Sequence, residues 1–211
     1  MDIDKFLELR PKLYHLTHKD NLESIKESNK IYSTDYIVKK SGITEPESFL
    51  KTRRVKLKKV NFNGSEIYIR DQIPLHPSMI NKAMDGTCTP GEYIYLLNKK
   101  VFFWPTKDRL ERHYNTYKDQ NPVILILDTK EIYDLNKERV KFCRLNSGAL
   151  RANFYHGGKP PPRGLNTFKS PEDYKSTPST VAEFTVDEYC EIPEKFCTAK
   201  SPNGDYKKMR V

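Results

Sequence analysis

The chain has no apolar run approaching the roughly 20 residues that span a bilayer, and its opening Met1-Asp2-Ile3-Asp4 is acidic where a targeting segment would be basic. A cytoplasmic protein with no membrane partner is expected. The four cysteines, at 88, 143, 190 and 197, form no C-x-x-C pair, which argues against a disulfide framework and a zinc site and for a reducing compartment. His15 and His18 are close in sequence but have no carboxylate or cysteine at ligand spacing, so no metal is expected. G-x-G-x-x-G, H-E-x-x-H and G-x-S-x-G are all missing, and Gly158-Lys159 lacks both the earlier glycine and the following Ser/Thr of a phosphate-binding loop. No motif marks a nucleophile, and no internal repeat is visible.

What is present is charge. Lys and Arg number 37 against 28 Asp and Glu, a formal +9, which suits a polyanionic partner or serves as ordinary solubility charge. Six cations crowd into Lys51 to Lys59. They read as a solvated face or a lysine-guarded edge, or, with Lys99-Lys100 and the stretch from Lys137 to Arg144, as a groove for a nucleic-acid backbone. At 211 residues one domain over 1–193 is expected, followed by a basic, weakly structured tail over 194–211.

Hydrophobic spacing predicts a helix over Asp2 to Arg10, a strand over Lys12 to Thr17 and a helix from about Lys19 to Ser28. The stretch between Tyr32 and Asn63 is polar and predicts no element. A strand over Glu66 to Arg70 precedes a helix around Ser78 to Ala83, and Thr89-Pro90-Gly91-Glu92 is a capping box opening a helix to Asn98. Lys100 to Pro105 is an aromatic strand, Thr106 to Tyr117 a surface helix, and Pro122 to Asp128 an apolar run without alternation, as in a strand covered on both faces. A helical turn at Glu131 to Leu135 and a strand at Val140 to Leu145 lead into a Pro- and Gly-rich stretch from Asn146 to Ser179, then a last strand at Val181 to Val186.

Two segments carry candidate chemistry. His15 and Thr17 share one face of the first strand, and Glu183 interrupts the apolar last strand. Each has a plainer reading, as a satisfied core histidine and as a solvent-face glutamate. Tyr14-His15-x-Thr17 followed by Asn21-Leu22 resembles the opening motif of ADP-ribosyltransferase-like domains. Val181-Ala182-Glu183-Phe184-Thr185-Val186 resembles the closing motif of the DarT group, nucleic-acid ADP-ribosyltransferases of toxin–antitoxin systems, and Phe102-Phe103-Trp104-Pro105 is similar to their aromatic strand.

The resemblance implies an α+β fold, a split β-sandwich with flanking helices and an NAD cleft, and transfer of ADP-ribose with loss of nicotinamide. It makes Glu183 catalytic together with Arg54, and has His15 donate to a ribose while Thr17 and Asn21 sit beside the dinucleotide. Phe103 or Trp104 stacks on nicotinamide, and Arg53, Arg54 or Arg70 holds the phosphates. A carboxylate bonded to a ribose hydroxyl would stabilise the oxocarbenium-like centre formed when nicotinamide leaves. Asn146, Ser147 and Arg163 line the acceptor side or belong to a plain loop. The implied acceptor is a base in single-stranded RNA or DNA and the implied partner an antitoxin. The alternatives are transfer to protein or a small molecule, and a nucleic-acid-binding module with a degenerate cleft.

Overall fold

The computed structural model describes residues 1–150 and 157–210. Helix α1 (Ile3–Leu9) begins where the Asp2 carboxylate accepts the Lys5 N–H, and strand β1 (Lys12–His18) follows it. A short turn leads into α2 (Leu22–Ser28), ended by Asn29 in the left-handed conformation, and then β2 (Lys30–Tyr32). Two helices occupy the stretch in which the sequence predicts none. Helix α3 (Thr34–Lys40) is capped by Ser33, α4 (Pro46–Lys51) has proline at its first turn, and each buries a short apolar stripe: Ile37 and Val38 in one, Leu50 in the other.

Strands β3 (Lys58–Phe62) and β4 (Ser65–Ile69) form a hairpin over Asn63-Gly64, both at positive φ as a tight two-residue connection requires. Helices α5 (Pro77–Ala83) and α6 (Pro90–Asn98) precede β5 (Lys100–Phe103), and α6 carries the capping box expected at Thr89 and Glu92. Helix α7 (Lys107–Tyr117), β6 (Pro122–Asp128), α8 (Thr129–Asn136) and β7 (Val140–Cys143) come next. The remaining strands are β8 (Glu183–Asp187), β9 (Tyr189–Glu191), β10 (Lys195–Ala199) and β11 (Lys207–Arg210).

The α+β class is observed, with antiparallel sheets. One sheet has the order β1-β6-β10-β11 and another β5-β8-β7, while β2-β9 and β3-β4 are two-stranded ladders. The larger sheets meet where the Tyr14 N–H donates to the Trp104 carbonyl at 3.0 Å and the Trp104 N–H returns a bond to Tyr14 at 2.8 Å. That junction brings β1 beside the end of β5, so residues of both can face one space.

Strand β6 is covered on both faces, as its unbroken apolar run predicts. Leu125 and Leu127 pack with Phe6, Phe142 and Phe184, whereas Ile124 and Ile126 pack with Leu16, Trp104 and Leu110. The expected tail over 194–211 is not one. Strand β10 pairs with β6 inside the first sheet, and Phe196 is buried in the main core. A short segment with mixed residues hides its place because its partner lies about seventy residues upstream.

Candidate functional site

His15 and Glu183, on different sheets, line the same cleft of about 790 Å³. That volume falls in the range of sites for small molecules and cofactors. Glu183 opens β8 opposite Cys143 of β7, and only 1% of it is exposed. One carboxylate oxygen accepts the Ser147 backbone N–H at 2.9 Å, and Oε2 is buried with no partner. Burial raises its pKa to about 7, against the opposing influence of Ser147 and of the Arg163 and Arg109 charges. A buried acid with a vacant acceptor is costly unless something polar meets it.

The residues expected on the acceptor side do surround this carboxylate. Asn146, Ser147 and Arg163 all line the cleft. Arg163 is 2% exposed and ties its own segment to Asn146, donating to the carbonyls of Pro161 at 2.6 Å and Asn146 at 3.0 Å. It thereby fixes the turn that aims the Ser147 N–H at Glu183. The Ser147 hydroxyl is buried and unpartnered.

At His15 the Nδ1 atom lies 2.8 Å from the Phe102 carbonyl, which can only accept, so Nδ1 carries the proton. Burial lowers the ring pKa to about 4, and the imidazole is neutral near pH 7. Nε2 is therefore an acceptor, and the donation to a ribose implied by the resemblance reverses: a ribose hydroxyl would donate to His15. Thr17 and Asn21 also line the cleft, but much of their bonding is internal. The Asn21 amide donates to Thr17 Oγ1 and the Tyr68 carbonyl and accepts the Tyr68 N–H at 2.8 Å, clamping β4 to the end of β1.

The three arginines separate clearly. Arg53 does not line the cleft; its guanidinium donates to the Gln72 and Ile73 carbonyls. Arg54 lines it, yet donates to the Arg70 carbonyl at 3.1 Å and to Asn98 Oδ1 at 3.0 Å. Arg70 faces the cleft with all three guanidinium nitrogens buried and unpartnered, and its guanidinium sits 5.0 Å from the Tyr117 ring centre. Desolvation lowers its pKa to about 10, so it remains a cation. The neighbouring Tyr117 and Asp71 oppose that shift.

Strand alternation decides the aromatic residues. Phe103 points away into the main core, fully buried against Phe184, so it stacks on no ligand. Phe102 and Trp104 face the cleft. His113 and Tyr117 of α7 stand beside Trp104, with ring centres 4.7 Å apart for Trp104–His113. The sequence reading misses both, although their spacing on the helix, four residues apart, places them on one face. Burial holds His113 neutral, with a pKa of about 3.

Four of the twelve cations in the expected groove sit in ion pairs. Lys51 pairs with Glu47, Lys59 with Glu66, Lys137 with Asp134, and buried Lys100 with Asp187. Among the described residues no group of three or more His, Cys, Asp or Glu could hold a metal, and no helix is long and apolar enough to cross a membrane.

Fold and cleft together define a mixed α+β protein whose main cleft presents a buried acid, Glu183, with an unpartnered oxygen, and an uncommitted guanidinium, Arg70. The chain belongs to DUF7002, a family of unknown function, which matches residues 11–196. No curated protein and no solved structure matches it.

Proposed function

We propose that this protein is an NAD-dependent ADP-ribosyltransferase that modifies a base in single-stranded nucleic acid. One observation carries the reading: Glu183 Oε2 and the whole Arg70 guanidinium are buried, unpartnered and open to the same cleft. A dinucleotide fits that pair, because a pyrophosphate satisfies a guanidinium and a ribose hydroxyl satisfies a carboxylate. NAD supplies the ADP-ribose, with nicotinamide as the leaving group.

Each residue then has a task set by its bonding. Arg70 holds the phosphates, and Arg54 positions it through the bond to its backbone carbonyl. His15 accepts from a ribose hydroxyl at Nε2, while Nδ1 stays bonded to Phe102. Trp104 lines the cleft beside His113 and supplies its aromatic wall. Glu183, ionised above about pH 7, accepts from the hydroxyl next to the reacting carbon and faces the positive charge that develops there. Ser147 and Arg163 keep its orientation. Single strands are the expected acceptor because a base within a duplex is shielded. A cell that holds such an enzyme needs a restraint, so an antitoxin protein is the expected partner.

The test is NAD consumption together with transfer of labelled ADP-ribose to single-stranded oligonucleotides and to whole-cell protein. Transfer to oligonucleotides is expected, with Glu183→Gln at least ~100-fold slower at an unchanged fold. Unaltered transfer in that variant removes Glu183 from the mechanism. Oligonucleotide binding without NAD turnover would overturn the enzymatic reading.

A further inference from the structure

Helix α7 and the C-terminal hairpin form a second cationic feature, separate from the run at 51–59. Residues 107–118 and 200–210 together hold eight lysines and arginines against three acids, so these two short pieces account for more than half of the chain's excess positive charge. They are neighbours. Lys107 Nζ sits 5.4 Å from the ring centre of Tyr206, and Cys197 and Ala199 of β10 pack in one cluster with Leu110 and Tyr114 of α7.

Register shows which hairpin side chains share that side. Lys208 is opposite Cys197, which packs toward α7, whereas Met209 is opposite Phe196 and packs toward the other core. Directly opposed residues of an antiparallel pair lie on one face, and alternate residues follow them. Tyr206, Lys208 and Arg210 therefore stand on the α7 side of the sheet. All three are exposed, as are Lys107 and Arg112, and none of these four cations has an acidic partner among the described residues. The face also reaches the cleft. Arg112 lines it beside His113, and the Arg109 charge acts on Glu183.

We infer that this face, running from β11 across α7 to Arg112, is the track on which a single-stranded nucleic acid lays its phosphates as it enters the cleft. Exposed cations in excess over acids and outside ion pairs attract a polyanion, the half-exposed Tyr206 ring suits stacking with an unpaired base, and the strip ends at the candidate site. The inference deepens the proposed function and rests on it for the identity of the acceptor. Its test is independent of turnover.

Binding of fluorescein-labelled dT20 and rU20 is measured by anisotropy, without NAD, across a salt series. The variant Lys107→Ala/Lys208→Ala/Arg210→Ala is compared with Lys5→Ala/Lys40→Ala/Lys82→Ala, which removes equal charge from other exposed positions. The face variant is expected to bind at least ~10-fold more weakly with a log–log salt slope smaller by about 2, the control changing little. Retained binding in the face variant overturns the track, as does equal weakening of both variants. Tighter capture of phosphatidylserine vesicles than of either oligonucleotide overturns it too. A preference for dT20 or rU20 identifies the acceptor sugar within it. Should the triple variant melt early, Lys208→Glu on the exposed edge strand replaces it, read against the same thresholds. Lost NAD turnover in the wild-type protein with binding still mapped to this face refutes the transferase and keeps the track.

Discussion

By sequence Arg53 and Arg54 are the nearest phosphate ligands, with Arg70 a further candidate, and their hydrogen bonds alone tell the three apart. Arg53 is committed to two backbone carbonyls and Arg54 to a carbonyl and Asn98, while Arg70 bonds through none of its nitrogens. Arg70→Met is therefore expected to weaken NAD binding by at least ~10-fold, about 1.4 kcal/mol, with little loss of stability. Arg53→Ala is expected to do the reverse, losing roughly 1 kcal/mol of stability with NAD affinity nearly unchanged. Calorimetric titration of NAD beside denaturant unfolding of both variants checks this, and equal NAD affinities would sink it. The same scale explains the aromatic strand. Phe102 and Phe103 are adjacent letters, but the pleat sends one to the cleft and the other into the core.

At the scale of elements, β10 is the decisive correction. It lies between β6 and β11, with Phe196, Thr198 and Ala199 buried, so it is part of the sheet that carries β1 and His15. Ending the chain after Pro193 exposes the β6 edge and removes Phe196, whose burial alone is worth about 1.5–3 kcal/mol. Against a typical stability of roughly 5–15 kcal/mol, loss of a whole paired strand is expected to abolish cooperative unfolding and near-ultraviolet circular dichroism. Ending it after Asn203 removes only the edge strand β11 and should leave a cooperative transition at lower denaturant. A fully cooperative chain ending at 193 would show that the segment is a tail after all.

For the whole molecule, the cleft concentrates buried titrating groups with opposite pH signatures. Glu183 has its pKa raised to about 7 in the fold, so between about pH 4.5 and 7 the native state keeps a proton that the unfolded chain has lost, and this group's contribution falls as pH rises. His15 and His113 have theirs lowered to about 4 and 3. They stay neutral in the fold where the unfolded chain takes up protons, and their contribution falls as pH drops below about 6.5. Once ionised, Glu183 costs the fold on the order of 3 kcal/mol. Glu183→Gln mimics the protonated acid. Its stability advantage over wild type is expected to grow between pH 4.5 and 7 and level off above, measured by denaturant midpoints across that range. A constant difference would show that the carboxylate is not desolvated as its surroundings indicate.

Much of the local architecture was legible from spacing alone. The apolar run of β6, the capping box of α6, the shared face of His15 and Thr17 and the isolated acid at 183 follow from periodicity and cap chemistry, which act over a few residues. Helices α3 and α4 were missed because their apolar stripes are only one or two residues wide, too few to raise a periodic signal. The sequence by itself determined the strand faces and the pool of candidate side chains. Only the tertiary structure decided which of them are satisfied and which are left open to the cleft. Partners such as Arg54 with the Arg70 carbonyl, Arg163 with Asn146 and β10 with β6 are set by long-range closure and burial, and pairings of that kind leave no periodic trace along the chain.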